Sequence, residues 1–282
     1  MMHYDPNSYW DERCKTVGHT GYANPIIYAY DQPLRIRAVQ KIISELKISM
    51  DKKLKILDIG CGVGDFTIMF AKKGAEVYGI DISKEAINIA KERASNLNNA
   101  IFMVGKVETM NFPDETFDLI LSVTVLQHIP DNAFPLAVKN IVRCLKNDGY
   151  LIIFESVKQK KKAPAFIIYR SEKDYEEAFR REGCILIRKV GYPNIGVRAT
   201  QIFNRALKII ARLLKLKVSL SDLVSKGGSL GRKEALGLIS VLYSLCLKLI
   251  LILCYPLDYF MFPFPLKLTN YKIIVFKRRC LR

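Results

Sequence analysis

Histidine is scarce in this chain of 282 residues: His3, His19 and His128 are the only three. No carboxylates cluster near them, so no ligand set for zinc or calcium is visible and metal-assisted chemistry is not expected. The seven cysteines (Cys14, Cys61, Cys144, Cys184, Cys246, Cys254 and Cys280) are odd in number and scattered, and no two stand in C-x-x-C spacing. That pattern indicates neither a zinc site nor a disulfide framework, and a reducing compartment is the better expectation. The first ten residues have no apolar core of signal-peptide length, so secretion is not expected and a cytoplasmic location is. Acids are also short, with 27 Asp and Glu against 44 Lys and Arg and a net charge of +17. Nucleic acid, an anionic membrane surface and a merely basic proteome all fit that balance, and composition alone does not choose.

What the chain does have is size and apolar content. At 282 residues and 50% hydrophobic it can bury a full core, as one large domain or a domain with an elaboration. Residues 55–67 read Lys-Ile-Leu-Asp-Ile-Gly-Cys-Gly-Val-Gly-Asp-Phe-Thr, an apolar run that ends near an acid and turns through alternating glycines. This predicts a buried strand, a tight turn and a helix start. Glycine is needed where φ is positive or where a ligand approaches the main chain, and the helix N-terminus behind the turn offers unpaired N–H groups and positive partial charge. The turn suits an anionic group such as a carboxylate. It lacks the Gly-Lys-Ser/Thr ending of a phosphate loop, and its glycines do not follow G-x-G-x-x-G. An acid followed by G-x-G-x-G resembles the first motif of the class I S-adenosylmethionine-dependent methyltransferases.

From residue 54 strand and helix patterns alternate, which implies parallel strands with crossover helices on both faces. Strands are expected at 54–59, 76–80, 101–104, 117–122, 149–154, 184–190 and 271–276. Helices are expected at 65–73, from a Ser83 cap to about 96, at 131–145 interrupted early by Pro135, and from a box-like cap at Ser171. Before them, 33–46 carries a helical apolar stripe. Residues 8–32 are rich in aromatics and turn formers, which fits a lid over a pocket and equally an extension packed on the domain. The expected division is 1–50 as lid and first helix, 51–190 as the cofactor-binding core, 191–268 as a basic and hydrophobic helical insertion, and 269–282 as the last strand and a basic tail. The fold expected is Rossmann-like: a seven-stranded, mostly parallel sheet with its last strand antiparallel.

Asp81 ends the second strand about twenty residues past the glycine turn. A carboxylate there borders the ligand crevice and can accept bonds from a ribose diol, or it can cap the helix that follows. The resemblance implies that S-adenosylmethionine is the methyl donor. Gly60, Cys61 and Gly62 would flank its methionine part, Asp58 would orient its amino group through the loop, and Ser122 would touch that group by its backbone. Asp81 would hold the ribose, Ile82 would pack on the adenine, and Lys106 with Val107 would lie at the adenine edge. Arg13, in a Tyr-Trp…Arg stretch that several small-molecule methyltransferases share, would meet the carboxylate. Lys106 stands where those enzymes usually carry an aspartate. An ammonium cannot accept the adenine amino group's hydrogen bond, so either the backbone alone reads the adenine or Glu108 substitutes.

Residues 122–131, Ser-Val-Thr-Val-Leu-Gln-His-Ile-Pro-Asp, resemble the family's fourth motif, where donor and acceptor meet. His128, with an ordinary pKa of about 6.5, could act as general base or pack under the loop and fix its shape; His19 is the second candidate. In-line transfer in a dry pocket needs little acid–base help. The Asn/Asp-Pro-Pro-Tyr/Phe motif of amino-methylating nucleic-acid enzymes is absent after the fourth strand, so nucleic acid is not the expected partner. A small-molecule or lipid-linked acceptor is expected, with an NAD-dependent oxidoreductase and a non-catalytic membrane-surface protein as rivals.

The insertion contains a basic amphipathic helix at 201–217, and 236–255 is about twenty apolar residues ended by Pro256. Interfacial membrane helices look like this, and so do buried caps over a lipophilic pocket. A single crossing would put the last strand on the wrong side of the bilayer. An anionic membrane surface contacted through 201–264 is therefore one expectation, and the oligomeric state is not readable.

Overall fold

The computed structural model describes residues 5–50, 54–157, 167–213, 230–260 and 270–279. Its helices are α1 (Pro6–Val17), α2 (Pro25–Glu45), α3 (Asp65–Lys72), α4 (Lys84–Arg93), α5 (Phe134–Cys144), α6 (Glu172–Arg181), α7 (Ile195–Leu213) and α8 (Leu230–Phe260). The strands are β1 (Lys55–Ile59), β2 (Glu76–Asp81), β3 (Ala100–Val104), β4 (Phe117–Val123), β5 (Leu145–Ser156), β6 (Cys184–Tyr192) and β7 (Tyr271–Arg278). They form one sheet in the order β3-β2-β1-β4-β5-β7-β6. The β1–β2, β2–β3, β1–β4 and β4–β5 pairs are parallel, while β7 runs antiparallel to β5 and β6.

The strands that carry the parallel half are near-continuous apolar runs because helices cover both faces. Leu57, Ile59, Phe117, Ile120, Leu151, Ile153 and Phe276 are buried with Val138 and Ile141 of α5 and Tyr175 and Phe179 of α6. Strand order reverses between β1 and β4, so the loops leaving their carboxyl ends diverge and open the crevice of an open α/β sheet.

The chain divides into two compact units: Met1–Ala23, Ile36–Tyr192 and Pro263–Arg282 form one, and Asn24–Arg35 with Pro193–Phe262 form the other. The second unit has its own polar joint. Asp258 is buried and accepts from the N–H groups of Ile195 at 2.5 Å and Gly196 at 2.7 Å, and from the Tyr30 hydroxyl at 2.6 Å. It serves the N-terminus of α7 from a distant helix, where orphan N–H groups and positive partial charge favour an anion. Burial, then the bond to Asp258, holds the Tyr30 phenol well above its ordinary range. Phe203 stacks on Tyr243 at 6.3 Å, and the Tyr243 hydroxyl donates to Asn204 at 3.0 Å.

Several elements differ from the expectation, each for a local reason. Residues 6–17 are helical: Asp5 accepts from the Ser8 N–H, Pro6 begins the helix and Gly18 ends it at φ 78°. The stripe at 33–46 begins earlier, because α2 runs from Pro25 through Pro33. Pro33 and Ala29, whose carbonyl loses its helical donor, are both exposed, so water can serve that carbonyl and the helix tolerates the proline. Likewise α8 does not stop at Pro256 but passes it, with Ile252 exposed one turn earlier. Pro135 does not interrupt α5 and lies in its first turn, where its missing N–H is harmless. The basic helix begins at Ile195 rather than 201. Ser171 makes the expected capping box with Asp174. His3, Cys280, the basic run 158–162, and 214–217, 226–229 and 261–264 lie outside the described residues.

The Asp258→Ala variant will leave two N–H groups and a half-buried phenol without their acceptor, at a cost of about 3 kcal/mol. Urea unfolding will show that loss, with a smaller one for Asp258→Asn, which keeps one acceptor oxygen.

Candidate active site

The turn after β1 takes the conformation its glycines permit. Gly60, Gly62 and Gly64 have φ of 64°, 54° and 84°, and only glycine adopts this left-handed region without strain. Space confirms the requirement, since a Cβ on Gly60 would lie 2.1 Å from Val125 Cγ2 and one on Gly62 would lie 2.4 Å from Thr20 Oγ1. Cys61 is buried, and its N–H donates to the Ile80 carbonyl at 3.0 Å, joining the turn to β2.

Asp81 closes that junction. Its Oδ2 accepts from the Gly62 N–H at 2.8 Å and its Oδ1 from the Ser83 N–H at 2.9 Å. Burial raises its carboxyl pKa. Asp58, one residue before the turn, accepts from the Thr67 hydroxyl at 2.6 Å; burial pushes it up to about 7, with Asp81 adding to the rise. Ile82 is half-buried beside them. After β3 the Gly105 N–H donates to the Asp81 carbonyl at 2.9 Å. Lys106 is exposed and Val107 is buried, and the Asn140 amide donates to the Val107 carbonyl at 3.3 Å and the Glu108 carbonyl at 2.7 Å.

The loop after β4 is held from beneath. Ser122 is fully buried, and its hydroxyl has no hydrogen-bond partner among the described residues. Thr124 takes φ 56°, a strained choice for a β-branched residue. Glu155, at the end of β5, accepts from the N–H groups of Val125 and Leu126, both at 2.9 Å. Arg170 donates to the carbonyls of Leu126 at 2.7 Å and Ile129 at 2.8 Å and to Asp131 at 2.7 Å. Burial pushes Glu155 up to about 8. The loop then forms a 3-10 turn, Leu126–His128. The Gln127 amide nitrogen lies 3.2 Å from His128 Nε2 and donates to it when the imidazole is neutral with its proton on Nδ1.

The N-terminal helix lies across all three elements. Asp11 accepts from the Ser83 hydroxyl at 2.6 Å and the Glu85 N–H at 3.1 Å, and Cys14 packs with Val63 and Ala86. The Trp10 ring meets His128 edge-on at 5.0 Å. Arg13 is engaged within its own segment: it donates to the Gly21 carbonyl at 3.1 Å and the Tyr9 hydroxyl at 2.8 Å and lies over the Tyr9 and Trp10 rings. His19 is buried, and burial lowers its pKa. The structure thus brings Asp58, Gly60, Cys61, Gly62, Asp81, Ile82, Ser122 and His128 to one end of the sheet, under α1. Lys106 is at the surface next to them. Glu155 and Arg170 are functional supports that sequence reasoning missed. An acid closing the apolar run Leu151-Ile152-Ile153-Phe154 was a readable signal for Glu155, and Arg170 had none.

Comparison with known proteins follows the same boundaries. Residues 56–149 match the family model described as a methyltransferase domain. Residues 56–149 are a methyltransferase domain. Its core is 34% identical over 119 residues to phosphoethanolamine N-methyltransferase of Plasmodium falciparum, covering 42% of this chain and 44% of that one. It is 37% identical over 127 residues to the ubiquinone biosynthesis O-methyltransferase of Pelagibacter ubique, covering 43% and 52%. The match thus spans about half the length of these relatives. The solved structure of a putative sarcosine dimethylglycine methyltransferase from Galdieria sulphuraria superposes with TM-score 0.56 over 86% of both chains at 15% identity, a likeness of fold.

The methyltransferase domain fits S-adenosylmethionine. The Asp81 carboxylate has about four lone-pair sites, more than its backbone N–H partners Gly62, Ser83 and Ile82 use, which leaves capacity for a ribose hydroxyl. Gly60 and Gly62 place no side chain of their own on the turn, whose Cβ positions are taken by Val125 and Thr20, and Ser122 at the end of β4 holds a hydroxyl with no hydrogen-bond partner among the described residues.

Among the loop supports, Glu155 has a readable pH dependence. Its folded pKa is about 8 against an ordinary 4.5, so its contribution to stability is full below pH 4.5 and is lost as pH rises through 8. In Glu155→Gln, whose amide oxygen can still accept both N–H groups, the melting temperature will fall less between pH 5 and pH 9 than in the wild type.

Proposed function

We propose that this chain transfers a methyl group from S-adenosylmethionine to a small-molecule acceptor, with a lipid-linked acceptor as the specific class. The observation that carries the reading is Asp81, buried at the end of β2 and tied to Gly62 of the glycine turn. The relatives named above act on a phosphoethanolamine and in ubiquinone biosynthesis, which supports small acceptors. The lipid-linked class is supported by the exposed apolar side chains of α8. The six described cysteines are free, in keeping with a reducing cytoplasm.

Bound S-adenosylmethionine would supply an activated methyl group on a cationic sulfur. Asp81 holds a ribose diol, the backbone from Gly60 to Gly62 receives the carboxylate end near the start of α3, and Ser122 offers a polar contact for the amino group. Asp58 and Asp81 place buried negative charge beside a positively charged ligand. Trp10 and α1 exclude water from the loop that presents His128, and exclusion strengthens every electrostatic contact inside. Where the acceptor is a hydroxyl or ammonium group, His128 accepts its proton on Nε2, the Gln127 amide giving up that lone pair to the acceptor.

Calorimetry will show S-adenosylmethionine binding and no NADH binding; the reverse result ends this reading. Asp81→Asn will weaken the donor by about 10- to 100-fold, as expected for a charge-assisted bond. Because the ligand's positive charge pulls the Asp58 carboxyl down from about 7, binding at pH 7 will release protons, seen as a dependence of the binding heat on the buffer's ionisation heat. Methyl label from the donor, offered with polar and lipid extracts, will enter the lipid pool. In His128→Ala, kcat will drop about 100-fold and the acid limb of its pH profile will vanish. An unchanged profile assigns His128 to loop shape alone.

A further inference from the structure

One face of α8 has no place in the methyl-transfer site. Tyr243, Leu247, Leu251 and Asp258 are buried, and they form the row that faces the rest of their unit. On the other side Leu242, Leu245, Leu249, Ile252, Leu253 and Leu257 are each more than half exposed, with Ile252 at 67% and Leu253 at 68%. The helix rises about 1.5 Å per residue, so this apolar strip is more than 20 Å long, and Lys248 is the one charged side chain on it. Ile202 of α7 is exposed as well, at 66%, with Arg205 exposed on the same helix. Soluble monomers rarely leave so long an apolar patch in water.

Charge identifies the partner. Between residues 193 and 260 there are ten Lys and Arg against three Asp and Glu, and one of those acids, Asp258, is buried in its hydrogen bonds. A second copy docking through the same face would bring positive charge against positive charge, since a twofold interface pairs a patch with itself. Anionic lipid headgroups complement both properties at once, taking the cations at the surface and the leucines below it.

The chain's path decides how the helix meets the bilayer. Tyr192 at the end of β6 pairs with Tyr271 at the start of β7, so the whole insertion leaves the sheet and returns to it at one point. The window Ser240–Tyr259 is long and apolar enough to cross a membrane, but one crossing would need a second to bring β7 back. The other long helix described in the insertion, α7, carries Arg198, Arg205, Lys208 and Arg212, a costly set for a span. Pro256 also deprives the Ile252 carbonyl of its helical donor on the exposed face, and water at an interface can serve that group. We infer that α8 lies along an anionic membrane surface as a monotopic helix, with its leucine strip at the headgroup–acyl boundary and the positive charge of its unit against the headgroups.

The inference deepens the proposed lipid-linked acceptor by placing the chain at the surface where such an acceptor resides. Its test uses no methyl donor, so the two readings fail separately. The full chain is floated with phosphatidylcholine vesicles and with vesicles rich in phosphatidylglycerol. It will bind the anionic vesicles, bind the neutral ones weakly and detach as salt is raised. The double variant Leu249→Glu, Leu253→Glu will lose at least about tenfold in partitioning while keeping the wild-type affinity for S-adenosylmethionine, which shows the fold intact. Arg205→Glu will weaken binding to the anionic vesicles only. The inference is overturned if the wild type binds neither vesicle, if the double variant binds as well as the wild type, or if the strip makes a concentration-dependent dimer that the double variant disperses.

Discussion

The carboxylate of Asp81 takes one hydrogen bond from each side of a junction between two loops. Gly62 on the turn after β1 and Ser83 at the start of α4 both give it their N–H groups. Because the Gly62 amide must point at β2, the turn has to pass through left-handed conformations. Because the acid is out of water, it favours any ligand that adds hydrogen bonds or positive charge beside it. The helix above completes the junction: Asp11 of α1 accepts from the Ser83 hydroxyl and the next N–H but one. Strand end, glycine turn, capped helix and N-terminal helix all converge on this one group.

The same device recurs on the other side of the crevice. Glu155 at the end of β5 accepts from two consecutive N–H groups of the loop after β4, and Arg170 takes two of that loop's carbonyls. Loop backbone at a buried strand end cannot rely on water, so a side chain must satisfy it. An acid answers donors and an arginine answers acceptors. The pair holds Thr124 in its left-handed conformation and so sets where His128 points. Desolvation raises both strand-end acids in pKa, which keeps Glu155 largely protonated at neutral pH and leaves Asp81 the acid that a cationic ligand beside the glycine turn would favour in its charged form.

These supports mark the limit of what the sequence could show. The parallel core was legible because apolar runs and helical stripes alternate, and the Gly60–Gly64 turn was legible because nothing but glycine fits it. Asp81 could be found from its distance past that turn. Glu155 and Arg170 act through bonds to backbone groups 29 and 44 residues away in sequence, and no local period encodes such a pairing. Pro33 reads as a helix start and Pro256 as a helix end because propensity counts the lost hydrogen bond. Both helices continue because the orphaned carbonyl faces outward in each case. Arg13 shows a different blind spot: its position in a familiar stretch says nothing of the Tyr9 hydroxyl and Gly21 carbonyl that it contacts.

The placement of β7 constrains everything inserted before it. It completes the sheet by filling the gap between β5 and β6, so its inner residues, Ile273 to Phe276, are fully buried and the strand cannot be given up cheaply. Whatever 193–270 does must therefore be done by a segment whose two ends are pinned at Tyr192 and Tyr271. A segment so pinned can close on itself, as the bonds of Asp258 to Ile195 and Gly196 do, and can present a face outward. It cannot move the chain from one compartment to another. The apolar strip of α8 is thus a surface for contact from one side, and the cost of exposing it in water is what gives that contact its driving force.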